Sequence, residues 1–217
     1  MGLSVLGLTA VIETGGRDVL SLSYPDLVMP VEQAEKLCGF KIEKTTDFGG
    51  WHGKKHPLPD TLEVFDKLGM RLETVDIHPS RGVERVVDLN VPTYLGQFDL
   101  VIDPGTTEHC FNAGTAIINA AEAVREGGAI IHLAPVTMIN HGFYNFCPTL
   151  FVDLYTQNGW TVEVLGLTDG TGLQEIEPWA RRQCPPECSI LVIARRNGNE
   201  PMKLPTQQKY LRNPDLK

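Results

Sequence analysis

The sequence contains no run of about 18 apolar residues, so no segment reads as a membrane-spanning helix. Basic residues are in deficit. Nineteen Lys and Arg stand against 27 Asp and Glu, a formal net charge of -8. A nucleic-acid backbone attracts a cation excess, so nucleic acid is not expected as the main partner. Cysteine is sparse, and its count is odd at five. Cys184 and Cys188 have the spacing of half a metal site, but no second pair completes it. The five are read as reduced thiols of a cytoplasmic protein. Met1 to Ile12 is mildly apolar without a basic start, which predicts no secretory signal. No G-x-G-x-x-G follows the first apolar strand, which weighs against a dinucleotide-dependent oxidoreductase. Internal repeats and low-complexity blocks are also missing.

What is present is an alternation of strand and helix signals. Asp18 to Leu22 reads as a first strand, and Val31 to Leu37 as a short helix ended by Gly39. Residues 41–60 form a glycine- and proline-rich loop. Thr61 to Leu68 reads as a helix with Gly69 at its C-terminal cap. Arg71 to Ile77, Arg85 to Asp88, Leu100 to Asp103 and Ala129 to Leu133 follow as strands two to five. Between the last two, Asn112 is expected to cap a helix whose apolar face is Ala113, Ala116, Ile117, Ala120 and Val124, with Gly127-Gly128 ending it. Thr149 to Gln157 is a further helix. Thr161 to Leu167 and Ser189 to Arg195 are late strands, expected to pair antiparallel. This order predicts an α/β, Rossmann-like three-layer sandwich of about seven strands, mostly parallel with an antiparallel edge. Residues 1–196 make one domain. Residues 197–217 are a polar tail, expected to be loosely ordered.

Three segments carry chemistry. In residues 98–112 an apolar strand stops at Asp103-Pro104-Gly105, and Thr106, Thr107, Glu108, His109 and Asn112 crowd the turn behind it. Loops at the carboxyl ends of strands are where open α/β sheets bind ligands. The second segment, residues 45–59, holds Asp47, Phe48, Trp51, His52, Lys54, Lys55 and His56. A long loop in a compact domain is often a lid. It is expected to order over the pocket with Trp51 as its anchor and His52 as a substrate contact. The third is Asn140-His141-Gly142-Phe143-Tyr144-Asn145, with Tyr144 and Asn145 as further substrate contacts. Neighbouring parallel strands send both turns to one edge, so His109 and His141 are predicted to approach across one cleft. Glu108, Tyr144 and Asn145 should lie nearby. A zinc or iron site from Glu108, His109 and His141 lacks HxH or HxxxH spacing, so no metal is expected.

The second to fifth strands together resemble the class I S-adenosylmethionine-dependent methyltransferases over roughly residues 17–195. The resemblance lies in Asp76 closing strand two, Asp88-Leu89 closing strand three, Phe98 to Asp103 as strand four, and Glu126 to Ile131 leading into strand five. It implies S-adenosylmethionine as cofactor and methyl transfer to a small molecule, with a sugar or glycan precursor as one candidate. Asp76, beside Ile77, would bind the ribose, while Asp88 and Leu89 would flank the adenine. Asp103 would lie beneath the methionine end, with Ser23 and Tyr24 as the turn of the first strand. His109 or His141 would act as the base, oriented by Glu108. One departure stands out. The family carries a Gly-rich turn after strand one, and here that turn is Ser23-Tyr24-Pro25-Asp26, with no glycine. The alternative is a non-catalytic binding or assembly protein on this scaffold.

Overall fold

The computed structural model describes residues 2–169 and 172–213, without the side chain of Trp51. Among the described residues eight strands form one sheet. They are β1 (Asp18–Leu22), β2 (Arg71–Asp76), β3 (Arg85–Val86), β4 (Phe98–Asp103), β5 (Val124–Pro135), β6 (Thr161–Thr168), β7 (Gln174–Glu175) and β8 (Ser189–Arg195). Across the sheet the order is β3-β2-β1-β4-β5-β8-β6-β7. The strands from β3 to β5 are parallel. β8 is antiparallel to both its neighbours, and β7 pairs antiparallel with β6.

The sheet is buried on both faces because its central strands are predominantly apolar. Leu100 and Ile102 of β4 point one way, with Val19 and Ile131, toward α1 (Val5–Thr14), α2 (Val31–Cys38) and α3 (Thr61–Lys67). Val101 points the other way, with Leu20, Ile130 and Val192, toward α4 (Ala113–Glu122) and α5 (Pro148–Gln157). The predicted three-layer sandwich is therefore the observed one. No helix among the described residues is long and apolar enough to cross a membrane.

Several local expectations are corrected. α1 lies in the stretch assessed only as a possible signal. Ser4 caps it by accepting the Gly7 amide at 3.3 Å, and Leu8 and Val11 are fully buried. Asn112 precedes α4 but does not cap it with its side chain. Its Nδ2 donates instead to the Asn90 carbonyl at 3.0 Å. Gly127-Gly128 lies inside β5 rather than ending the helix, and Val124 belongs to that strand. The pairing with β4 jumps from Phe98–Val124 to Leu100–Ala129, so the glycines form a bulge. A Cβ on Gly128 would sit 2.7 Å from the Asp99 carbonyl oxygen, which explains a residue without one. The 41–60 loop is closed by a short antiparallel pair, Thr45–Thr46 with Leu58–Pro59, and carries a 3₁₀ turn at Phe48–His52. Residues 203–208 of the tail are tied down. Gln157 Nε2 donates to the Thr206 carbonyl at 2.6 Å, and the Gln208 amide, in α6 (Gln208–Arg212), donates to Asp153 Oδ2 at 2.9 Å.

Candidate active site

The sheet order reverses between β1 and β4, since one connection leads outward to β2 and the other to β5. A crevice opens at the carboxyl ends of strands at such a switch point. The turns flanking it are Ser23–Asp26 after β1 and Pro104–His109 after β4.

The β1 turn keeps a left-handed backbone without glycine. Ser23 has φ 79°, a conformation that costs a non-glycine residue about 1 kcal/mol or more. Two contacts hold it. Its amide donates to the Val75 carbonyl at 2.6 Å, and its hydroxyl accepts from Thr106 Oγ1 at 3.0 Å. Tyr24 and Asp26 are buried behind it. Asp26 Oδ2 accepts from His52 Nε2 at 2.8 Å and from the Arg81 guanidinium at 2.5 Å. Burial pushes the Asp26 carboxyl up, but the His52 and Arg81 bonds outweigh it and hold it below the ordinary value. Arg81 stacks on the Phe48 ring, 3.4 Å from its centroid. His52, expected to face substrate, is thus committed to Asp26, and the 45–59 loop is pinned to the carboxyl side of β1.

Below the β4 turn lies a buried hydrogen-bond chain. In the parallel register Asp103 stands beside His132. Both side chains are wholly buried, and His132 Nδ1 lies 2.8 Å from Asp103 Oδ2. His132 Nε2 lies 2.6 Å from the Tyr155 hydroxyl, which is also buried. Asp103 further accepts the Thr107 hydroxyl at 2.7 Å and the amides of Thr106 and Thr107 at 2.9 and 3.2 Å. Burial raises the Asp103 carboxyl, but these partners, His132 first, together hold it below the usual carboxylate range. Asp103 therefore braces the site from beneath and presents no free oxygen to a ligand. His132 and Tyr155 escaped the sequence reading. The available signal was a histidine inside an apolar strand, since a buried imidazole requires a partner.

Above that chain the two loops converge as predicted. The Glu108 carbonyl accepts the amides of Phe143 at 2.9 Å and Tyr144 at 3.3 Å, stitching the loops together. Gly142 makes this approach possible, because a Cβ there would lie 2.9 Å from the Glu108 carbonyl oxygen. The imidazole centroids of His109 and His141 are 5.2 Å apart. Glu108 Oε1 lies 3.4 Å from His141 Nε2 and 3.9 Å from His109 Nε2. The Tyr144 hydroxyl donates to the Phe111 carbonyl at 2.8 Å, and Asn145 Oδ1 accepts the Met138 amide at 2.9 Å. Tyr144 and Asn145 thus shape the loop around the cluster.

Glu108 is wholly buried, and neither carboxylate oxygen has a hydrogen-bond partner. Burial, with the nearby Asp103 charge second, pushes its carboxyl up to about 8. Burial also lowers the His109 imidazole, with His141 as the second cause. A raised carboxyl favours the fold while protonated. Its contribution is full below the ordinary carboxylate range and is lost as pH rises through about 8. The melting temperature of the wild-type protein should therefore fall between pH 5 and pH 9 by several degrees more than that of Glu108→Gln. Parallel curves would show that Glu108 is not held protonated.

The resemblance-implied cofactor residues spread along the same edge. Asp76 is half-buried at the end of β2, and its Oδ1 accepts the His78 amide at 3.0 Å. Ile77 is exposed beside it, while Leu89 is buried. Asp88 is exposed and accepts both the Asn90 amide and its side-chain nitrogen. Pairing of Asp88 with Arg81 or Arg85 does not occur. Arg81 goes to Asp26, and Arg85 to Glu73 and the Leu95 carbonyl. The Trp51 side chain lies outside the described residues. All five cysteines are free.

No family model and no curated protein matches the chain. Solved structures that resemble it include methyltransferases. A 16S rRNA N2 G1207 methyltransferase from T. thermophilus is 16% identical, with TM-score 0.45, over 92% of this chain and 40% of its own. TehB from Haemophilus influenzae is 13% identical, with TM-score 0.44, over 88% and 61%. A methyltransferase of Bacillus halodurans, described as putative, is 12% identical, with TM-score 0.44, over 91% and 100%. The chain thus spans less than two thirds of the first two.

Proposed function

We propose that the protein transfers a methyl group from S-adenosylmethionine to a hydroxyl of a small acceptor, with a sugar or glycan precursor as one candidate. The observation that carries this is the cluster of Glu108, His109 and His141 at the carboxyl edge of β4 and β5, beside the switch point. Ligands of open α/β sheets lie along that edge. Asp76 at the end of β2 would accept the ribose hydroxyls. In the transfer, the acceptor oxygen attacks the sulfonium methyl, the carbon–sulfur bond breaks, and S-adenosylhomocysteine leaves with the electron pair. The hydroxyl proton departs into the Glu108–His109–His141 cluster. Alignment of oxygen, methyl and sulfur supplies most of the rate.

The Asp26–Arg81–His52 cluster behind Ser23 favours a second reading, a binding or assembly protein whose cofactor turn is filled. Calorimetry decides between them. Under the first reading wild-type protein binds S-adenosylhomocysteine, and Asp76→Ala weakens binding by about 1.5–3 kcal/mol, the value of hydrogen bonds to a charged group. No heat with either S-adenosylmethionine or S-adenosylhomocysteine would overturn methyl transfer and leave the second reading.

A further inference from the structure

Glu108, His109 and His141 offer one ligand atom each, all within 4.8 Å of one another. Local spacing argued against a metal, but that argument fails here, because the ligands come from two turns joined through the Glu108 carbonyl. Ligand atoms about 2.1 Å from one ion in a tetrahedral array lie about 3.4 Å apart. The Glu108–His141 contact is 3.4 Å and the Glu108–His109 contact 3.9 Å, while the two imidazole nitrogens lie within 4.8 Å, so rotation of the exposed imidazoles is what closes the array. The second observation is independent of these distances. Glu108 is wholly buried, both its oxygens lack a hydrogen-bond partner, and Oε1 is aimed between the two imidazoles. A buried carboxyl group with neither oxygen hydrogen-bonded is an exception among native polar groups, and a cation is the partner this geometry admits.

We infer that Glu108, His109 and His141 form a binding site for one divalent transition-metal ion of the zinc class. Two imidazoles and one carboxylate suit such an ion and disfavour magnesium or calcium, which take oxygen ligands. His109 and His141 are 38% and 42% exposed, so the ion enters from solvent and keeps its remaining positions open on that side. An ion with open positions is a Lewis acid. It holds a hydroxyl or water and lowers its pKa toward neutrality. Phe111 and Phe143, each two residues beyond one of the histidines, pack edge to face at 5.7 Å and are largely exposed. The inference goes beyond the methyl-transfer reading and does not depend on it, because ion binding is read with neither cofactor nor acceptor present.

The experiment is titration of chelator-treated full-length protein with Zn²⁺ by calorimetry and with Co²⁺ by visible absorption. One ion per chain is expected, with the intense cobalt bands of a four- or five-coordinate site, displaced by Zn²⁺. Mg²⁺ should not compete. His109→Ala and His141→Ala replace exposed imidazoles and should leave the fold intact. Each should weaken Zn²⁺ binding by more than about 100-fold, beyond the roughly 10–100-fold that loss of a supporting residue causes. Glu108→Gln should do the same, with circular dichroism as its folding control. Absence of 1:1 binding would overturn the site. So would unchanged affinity in folded His109→Ala and His141→Ala, or equal competition by Mg²⁺.

Discussion

Replacing Asp103 with alanine is expected to destabilise the protein by about 3–5 kcal/mol, the combined cost of leaving several donors at a buried site without their charged acceptor. Asp103 and His132 have no exposed side-chain surface. The substitution strands His132 Nδ1, the Thr107 hydroxyl and amide, all buried, and the part-buried Thr106 amide. A domain of this size has about 5–15 kcal/mol in total, so a large share of its stability is at stake. Tyr155→Phe should cost less, about 1–3 kcal/mol, because it leaves only His132 Nε2 without a partner. Urea midpoints at constant m-value measure both. A loss below about 1 kcal/mol for Asp103→Ala would mean that the chain Asp103–His132–Tyr155 is not the brace of the site. The depressed Asp103 carboxyl fixes the sign of its pH dependence. Its contribution is present above the ordinary carboxylate range and is lost as pH falls through its lowered value, opposite to Glu108.

The layout of the sheet was legible because its signals are local. Leu100-Val101-Ile102 stopped by Asp103-Pro104-Gly105 marks a buried strand and its end without reference to anything distant. From strands four and five lying side by side, the meeting of His109 and His141 followed by topology alone. The errors have a common physical origin in pairing across the chain. Gly127-Gly128 reads as a helix stop in isolation, and only the close passage of the Asp99 carbonyl shows it to be a bulge. Asn112 has the side chain of a cap, but Asn90 supplies a competing partner. His132 looks like an interruption of an apolar run until the register places Asp103 beside it. The fate of His52 depends on Asp26 and Arg81, residues from three separate segments. The polar tail reads as loose by composition, yet α5 side chains bind its backbone.

Replacing His109 or His141 with alanine is expected to reduce turnover by roughly 10²–10⁴-fold for whichever residue handles the acceptor proton, the usual contribution of a positioned acid or base. Cofactor affinity should hardly change, because Asp76 and the β1 turn lie on other strands. Such a split places the lost interaction in the transition state rather than in ground-state binding. Both imidazoles are exposed at their outer faces, and their partner Glu108 is already without hydrogen bonds. Truncation therefore strands no buried group, and the melting temperature should shift little. A structural role predicts the reverse pattern, in which both replacements lower the melting temperature and spare turnover. The Phe143 and Tyr144 amides would still bind the Glu108 carbonyl in either variant, so the loops stay joined and the comparison isolates the side chains. Equal turnover in wild type and both variants would remove the cluster from the chemistry, even if the cofactor binds.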